Sequence, residues 1–135
     1  MATWNKFQPF VEDLAEKKHN LGSDQKKVAL TNSAPSAANG VLTDITEISY
    51  TNCSSRDITT SSSSQTSGTY KLVLADLVLT ASGTVGPFRY VVIYNDTATN
   101  DELISYLDYG SSITLNSGET LTIDFDGSGG AMTIT

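Results

Sequence analysis

The sequence has one cysteine and one histidine, and beyond Arg89 it has no basic residue at all. A lone Cys excludes an internal disulfide framework and a Cys-rich zinc site, and a lone His excludes two-His metal centres. Eight Lys and Arg against fifteen Asp and Glu, with a sequence pI near 4.4, leave no cation cluster to release counterions. Nucleic acid and anionic membrane surfaces are therefore excluded as partners. No apolar run approaches the roughly 20 residues of a membrane span. The opening MATWNKFQPFVEDL lacks a basic region followed by an apolar one, so it does not read as a signal peptide. Charged residues are also scarce, at 17%, against a usual share of about 25%; Ser and Thr together fill about a quarter of the chain instead.

What is present is enough for one core. At 135 residues and 39% hydrophobic content, the chain predicts a single compact domain, with or without an arm. The charge is unevenly placed. The fifteen acids split into eight up to Arg89 and seven after it, while all eight bases lie at or before Arg89, so the whole net charge of −7 falls in the last third. That asymmetry predicts two surfaces with different neighbours, the acidic third facing solvent.

Residues 3–21 carry the helical signal: Phe7, Phe10/Val11, Leu14 and Leu21 recur at steps of three to four. Two starts compete, Thr3 as an N-cap or Pro9 at the first helical position. Pro9 is favoured because it puts Glu12 and Asp13 near the positive end of the dipole and Lys17, Lys18 and His19 near the negative end, with Gly22 as the C′ residue. Trp4 and Phe7 then lie in an extended arm leading into the helix. His19, in this reading, is a solvated residue that complements the dipole. Everything after residue 22 reads as β. KKVALT (Lys26–Thr31) predicts a strand, NSAPSAANG (Asn32–Gly40) a loop, and LTDITEIS (Leu42–Ser49) either a helical turn or a strand. SSSSQTSG (Ser61–Gly68) predicts an exposed polar loop. From Tyr70 the alternation changes parity near Ala75–Asp76, which predicts a bulge in one continuous strand. SGTVGP (Ser82–Pro87) predicts a turn, FRYVVIY (Phe88–Tyr94) a central strand covered on both faces, and Leu103–Tyr109 and Ile113–Leu115 two further strands. Leu121–Phe125 predicts a half-buried strand, and a last one carries Met132 and Ile134. The predicted fold is mainly β: an antiparallel β-sandwich, jelly-roll-like, over residues 23–135, preceded by an arm and one α-helix over residues 1–22.

The chain offers no catalytic constellation. His19 has no nucleophile beside it in sequence, and Cys53 in YTNCSSRD has only Arg56 to favour a thiolate. Asp124-x-Asp126-x-Ser128-Gly129 imitates the first half of a calcium-binding EF-hand loop, but its twelfth position is Thr135, so it reads as an Asp-rich turn. Asn52-Cys53-Ser54 and Asn95-Asp96-Thr97 are chance matches to the glycosylation pattern. No enzyme activity, cofactor or metal site is expected.

The stretches VALTNSAP, VLTDITEISY, GTYKLVLADLVLTASGTVGPFRYVVIYNDTA and DYGSSITLNSGETLTIDFDGSGGAMTIT resemble a family of small structural proteins of tailed bacteriophages, and the similarity runs from FVEDLAEKKHNLGSD to the final strand. The resemblance implies a β-rich virion component assembled in the host cytoplasm. Its implied role is a capsid decoration (cement) protein, a homotrimer that binds the major capsid protein, with no catalytic residues. Trp4, Phe7, Phe10, Val11 and Leu14 are the expected interface residues, as apolar anchors of the N-terminal portion. The alternative is a tail or fibre module that binds a host glycan by stacking on Tyr90, Tyr94, Tyr106 or Tyr109.

Overall fold

A computed structural model of the chain describes residues 3–135. In chain order it comprises β1 (Thr3–Lys6), α1 (Pro9–Ala15), β2 (Lys26–Thr31), a 3₁₀ turn (Leu42–Asp44), β3 (Asp57–Ile58), β4 (Thr60–Thr66), β5 (Thr69–Leu74), β6 (Leu77–Thr80), β7 (Val85–Asn95), β8 (Leu103–Leu115), β9 (Thr120–Ile123) and β10 (Met132–Ile134). The strands form a five-stranded sheet in the order β1-β8-β7-β2-β3, a three-stranded sheet β10-β5-β4 and a two-stranded sheet β6-β9. Every pairing among the described residues is antiparallel. The protein is mainly β with one α-helix.

One core draws on all three sheets, and β7 explains its position. In register, Val91 and Ile93 lie opposite Leu30 and Val28 of β2, while Tyr90 and Val92 lie opposite Thr31 and Ala29 on the other face. All of these are buried, so β7 is covered on both sides, as its unbroken apolar run predicts. Leu72 and Leu74 of β5, Leu79 of β6 and Ile123 of β9 join the same cluster. So does the N-terminal portion: Phe7 is fully buried, with its ring 5.2 Å from that of Tyr106, and Phe10 is 4% exposed. Trp4 sits in β1, hydrogen-bonded to β8 in register with Leu107.

Several expectations are corrected. The helix starts at Pro9 but stops at Ala15, well before Gly22. Lys17, at φ 69°, takes the left-handed C′ place. The Lys18 N–H donates to Asp13 O (2.9 Å) and the Lys17 N–H to Leu14 O (3.3 Å), the paired bonds of a Schellman stop. The serine run is a strand and not a loop: β4 pairs with β5 around Ser67 and Gly68, both at positive φ (50° and 85°). Such a two-residue turn matches the twist of a hairpin, and hydrogen bonding to β5 holds a strand that has almost nothing to bury. The parity change at Ala75–Asp76 is not a bulge but a crossing from one sheet to another, since β5 pairs with β4 and β10 while β6 pairs with β9. Asp76 fixes the crossing, its Oδ1 accepting the Phe125 N–H at 2.9 Å. Residues 103–115 form one strand; a register shift opposite Phe88–Tyr90 accommodates Gly110, at φ 83°.

β3 covers only Lys26 and Lys27 of β2. Further along, side chains and loop backbone satisfy the exposed edge. Arg56 gives its carbonyl to Val28 N–H (3.0 Å) and its Nη1 to Val28 O (2.7 Å). Tyr50 OH accepts the Leu30 N–H (2.9 Å) and donates to Glu47 Oε1 (2.7 Å), while Ile48 N–H donates to Leu30 O (3.0 Å). The Arg56 guanidinium lies 3.7 Å over the Tyr50 ring, and burial pushes the Tyr50 phenol up, so the hydroxyl stays protonated. A capped edge cannot template pairing with other chains. Tyr50→Phe leaves the Leu30 N–H without a partner and is expected to cost about 1–2 kcal/mol. Urea denaturation checks this as a lowered midpoint at unchanged slope.

Candidate functional site

The two edge strands β1 and β10 do not pair with each other, and the gap between them is a groove of about 480 Å³. Residues 4–6 form one wall and residues 131–134 the other; α1 contributes Phe10, Val11 and Leu14, and β8 contributes Ile104 and Ser105. Local sequence explains the apolar lining. Pairing with β8 leaves the outer edge of β1 open, and Trp4 leans on the buried Phe125 (ring centroids 6.0 Å apart) while staying 40% exposed. In α1 the inward Phe10 leaves Val11 outward, at 53% exposure. On β10, Ile134 is 43% exposed and Met132 half-buried. Trp4, Val11 and Ile134 are three of the four exposed large hydrophobics among the described residues, the fourth being Val78 on β6. Scattered single exposures are ordinary, whereas several lining one groove mark an interaction surface. The groove lining contains no carboxylate, imidazole or thiol; its polar groups are Asn5, Lys6, Ser105 and Thr133. The groove offers apolar surface with two strand edges alongside.

Of the five residues expected at an interface, Trp4, Phe10, Val11 and Leu14 line this groove, although Phe10 is mostly buried, whereas Phe7 is held inside the protein's own core. Residues 131–134 complete the site, and the only sequence signal for them is apolar character at the end of the chain.

A second, more polar cleft of about 820 Å³ adjoins the groove and shares Leu14 and Ile134 with it. Its floor carries His19, which is not the solvated residue expected: it is 5% exposed, its ring 5.2 Å from Phe10. The helix ends too early for His19 to cap it, and the chain after α1 folds back onto β7. There Asn95 Nδ2 donates to His19 Nδ1 (3.0 Å) and to Asp24 Oδ2 (2.7 Å), and Asn95 Oδ1 accepts the N–H groups of Thr97 (3.0 Å) and Ala98 (3.1 Å). Lys26, 1% exposed, donates from Nζ to the carbonyls of Leu21 (2.7 Å) and Asp24 (2.8 Å). Burial pulls its ammonium below the usual lysine range, opposed by the nearby Asp24. Asn95 is fully buried and committed to these four bonds, so it is no glycosylation acceptor.

The remaining candidates have structural positions. Cys53 is half-buried in an isolated bridge with Ala81, and burial pushes its thiol up, against the pull of Arg56. Tyr90 and Tyr94 are buried, Tyr106 packs between Phe7 and Tyr90, and Tyr109 is half-buried. In the Asp-rich turn, Asp126 accepts from Gly129 N–H (3.0 Å) and Ser128 Oγ (3.1 Å), which hold its carboxyl below the usual range, and Asp124 accepts from Asp126 N–H (2.8 Å). These carboxylates serve their own turn. No group of three or more His, Cys, Asp or Glu side chains suited to a metal ion occurs among the described residues, and no helix among them is long and apolar enough to cross a membrane. No protein-family model, curated protein or solved structure matches the chain.

Proposed function

We propose that the protein is a structural component of a tailed-bacteriophage virion: a capsid decoration protein that binds the head shell by protein–protein contacts and reinforces it. The observation that carries this reading is the groove between β1, α1 and β10, where Trp4, Val11, Leu14 and Ile134 offer apolar surface to a partner. The partner proposed is the major capsid protein, with sister copies of the chain completing a homotrimer on the shell. The two smaller sheets are taken as a second layer over the five-stranded sheet, giving a jelly-roll-like sandwich whose groove side meets the shell. The resemblance of residues 28–35, 41–50, 68–98 and 108–135 to small phage structural proteins supports the same assignment.

Copy number tests it. Quantitative mass analysis of intact particles is expected to find the protein in hundreds of copies per virion, located on the head. A handful of copies would move it to the tail, and absence from the particle would end the proposal.

A further inference from the structure

The segment linking α1 to β2, residues 16–25, is held to the turn between β7 and β8 by one polar cluster, and the hydrogen positions in that cluster follow from its partners. Asn95 Oδ1 faces two backbone N–H groups, which can only donate, and Asn95 Nδ2 faces the Asp24 carboxylate, which accepts. The amide orientation is therefore fixed, and Nδ2 donates toward His19 at 3.0 Å. His19 Nδ1 must accept, so the ring is neutral with its proton on Nε2. Nε2 is enclosed and has no hydrogen-bond partner among the described residues.

We propose that His19 is an acid-sensitive latch: protonation at Nδ1 sets two donors against each other at Asn95 and releases residues 16–24, together with the α1 wall of the apolar groove, from the β7–β8 turn. Asn95 cannot rotate to accept the new proton without turning its carbonyl toward Asp24 and giving up the Thr97 and Ala98 N–H groups. The charged groups around the ring are Asp13 from α1, Asp24 from the segment itself, Glu102 beside β8 and Lys26 from β2. The three acids favour the imidazolium, but none forms a salt bridge with the ring, and Lys26 opposes them. Burial is the largest influence and holds the imidazole below its ordinary value of 6.5. The released segment has an ordinary histidine. The latch is thus fully closed above that ordinary value and weakens as pH falls through it toward the lower folded value. Phe10, whose ring lies 5.2 Å from that of His19, carries the release into α1. This inference does not depend on the virion assignment.

His19 is the chain's single histidine, so its imidazole resonances are unambiguous in the intact protein. Nitrogen-15 shifts at about pH 7.5 are expected to show the Nε2–H tautomer, and the titration midpoint to lie below that of a free histidine. Amide exchange of residues 17–24, corrected for intrinsic chemistry, should reveal an opening constant that rises by up to about tenfold per pH unit below about 6.5. His19→Asn keeps an acceptor toward Asn95 and removes the titration, so the segment should stay closed across this range. A midpoint at or above the free value, or opening that ignores pH, would overturn the latch. Should His19→Asn fail to fold, the titration and exchange of the natural chain still decide.

Discussion

Val11→Glu combined with Ile134→Glu is expected to abolish binding to undecorated head shells while leaving the melting temperature almost unchanged. Both side chains are about half exposed, at 53% and 43%, and both line the groove. In the free protein the new carboxylates meet water, and surface substitutions of this kind usually shift stability by less than about 0.5 kcal/mol. In a complex they would be desolvated against an apolar partner, a cost of several kcal/mol for each unpaired charge. Trp4→Ala should act in the same direction. Loss of an aromatic hot spot costs about 2–4 kcal/mol, or roughly 30- to 700-fold in affinity, although Trp4 also leans on Phe125 and its removal slightly loosens the fold. Shell occupancy measured beside a thermal melt separates the two effects; unchanged occupancy of the double variant would exclude the groove as the docking surface. Truncation of residues 1–8 is the weaker experiment. It removes the whole of β1 and the fully buried Phe7, and loss of a buried Phe side chain alone costs about 3–5 kcal/mol. A protein that no longer folds would mimic one that no longer docks.

Sequence pattern reveals an element when that element's own side chains decide its state. β2 was legible to the residue because its branched and apolar run fits a covered strand, and β9, β10 and the Phe88–Tyr94 part of β7 followed from alternation or unbroken apolarity, whereas residues 85–87, expected in a turn, begin β7. β4 was not legible because its serines bury nothing, and its state is dictated by a neighbour and by two positive-φ turn residues. The crossing at Ala75–Asp76 carried a true signal, a change of parity, but parity alone does not distinguish a bulge from a change of sheet. Only the partners do. The charge pattern was altered in the same way. Arg89 closes on Asp108 at 2.8 Å, Lys71 donates to the Ser128 carbonyl beside Asp126, and Glu102 is buried at 4% exposure with Asn100 N–H donating to it (2.8 Å). One base of the first two-thirds, Arg89, is thus folded onto an acid of the last, Asp108. Asp96, Glu119, Asp124 and Asp126 of the acidic third are exposed, whereas Asp108 is paired and Glu102 is buried. The groove was half legible: helical spacing pointed to Phe10, Val11 and Leu14 and the apolar arm to Trp4, but the same stripe marked Phe7, and a stripe along a helix does not state which members its own core takes.

Asn95→Ala is expected to be the most destabilising single change near the second cleft, by about 3–4 kcal/mol. It strips the acceptor from two turn N–H groups and the donor from His19 and Asp24 at once, inside a site where Asn95 is fully buried. Its sequence context marks it only as a chance glycosylation match, because a buried asparagine acquires its importance from what the fold points at it. Asn95→Asp is the more informative partner variant. Its carboxylate still accepts from Thr97 and Ala98, but it now presents an acceptor to His19 Nδ1 and a like charge to Asp24. The imidazolium, which the natural site disfavours, becomes the preferred form, and the folded value for His19 moves from below 6.5 to above it. The pH dependence must then reverse for this group. In the natural protein the His19 contribution is complete above the unfolded value and is lost as pH falls. In Asn95→Asp it is complete below the unfolded value and is lost as pH rises through the raised folded value. Urea denaturation at about pH 5.5 and about pH 8 should show the natural protein more stable at the higher pH and the variant shifted in the opposite sense. Slopes of the same sign in both proteins would show that Asn95 does not govern the protonation of His19.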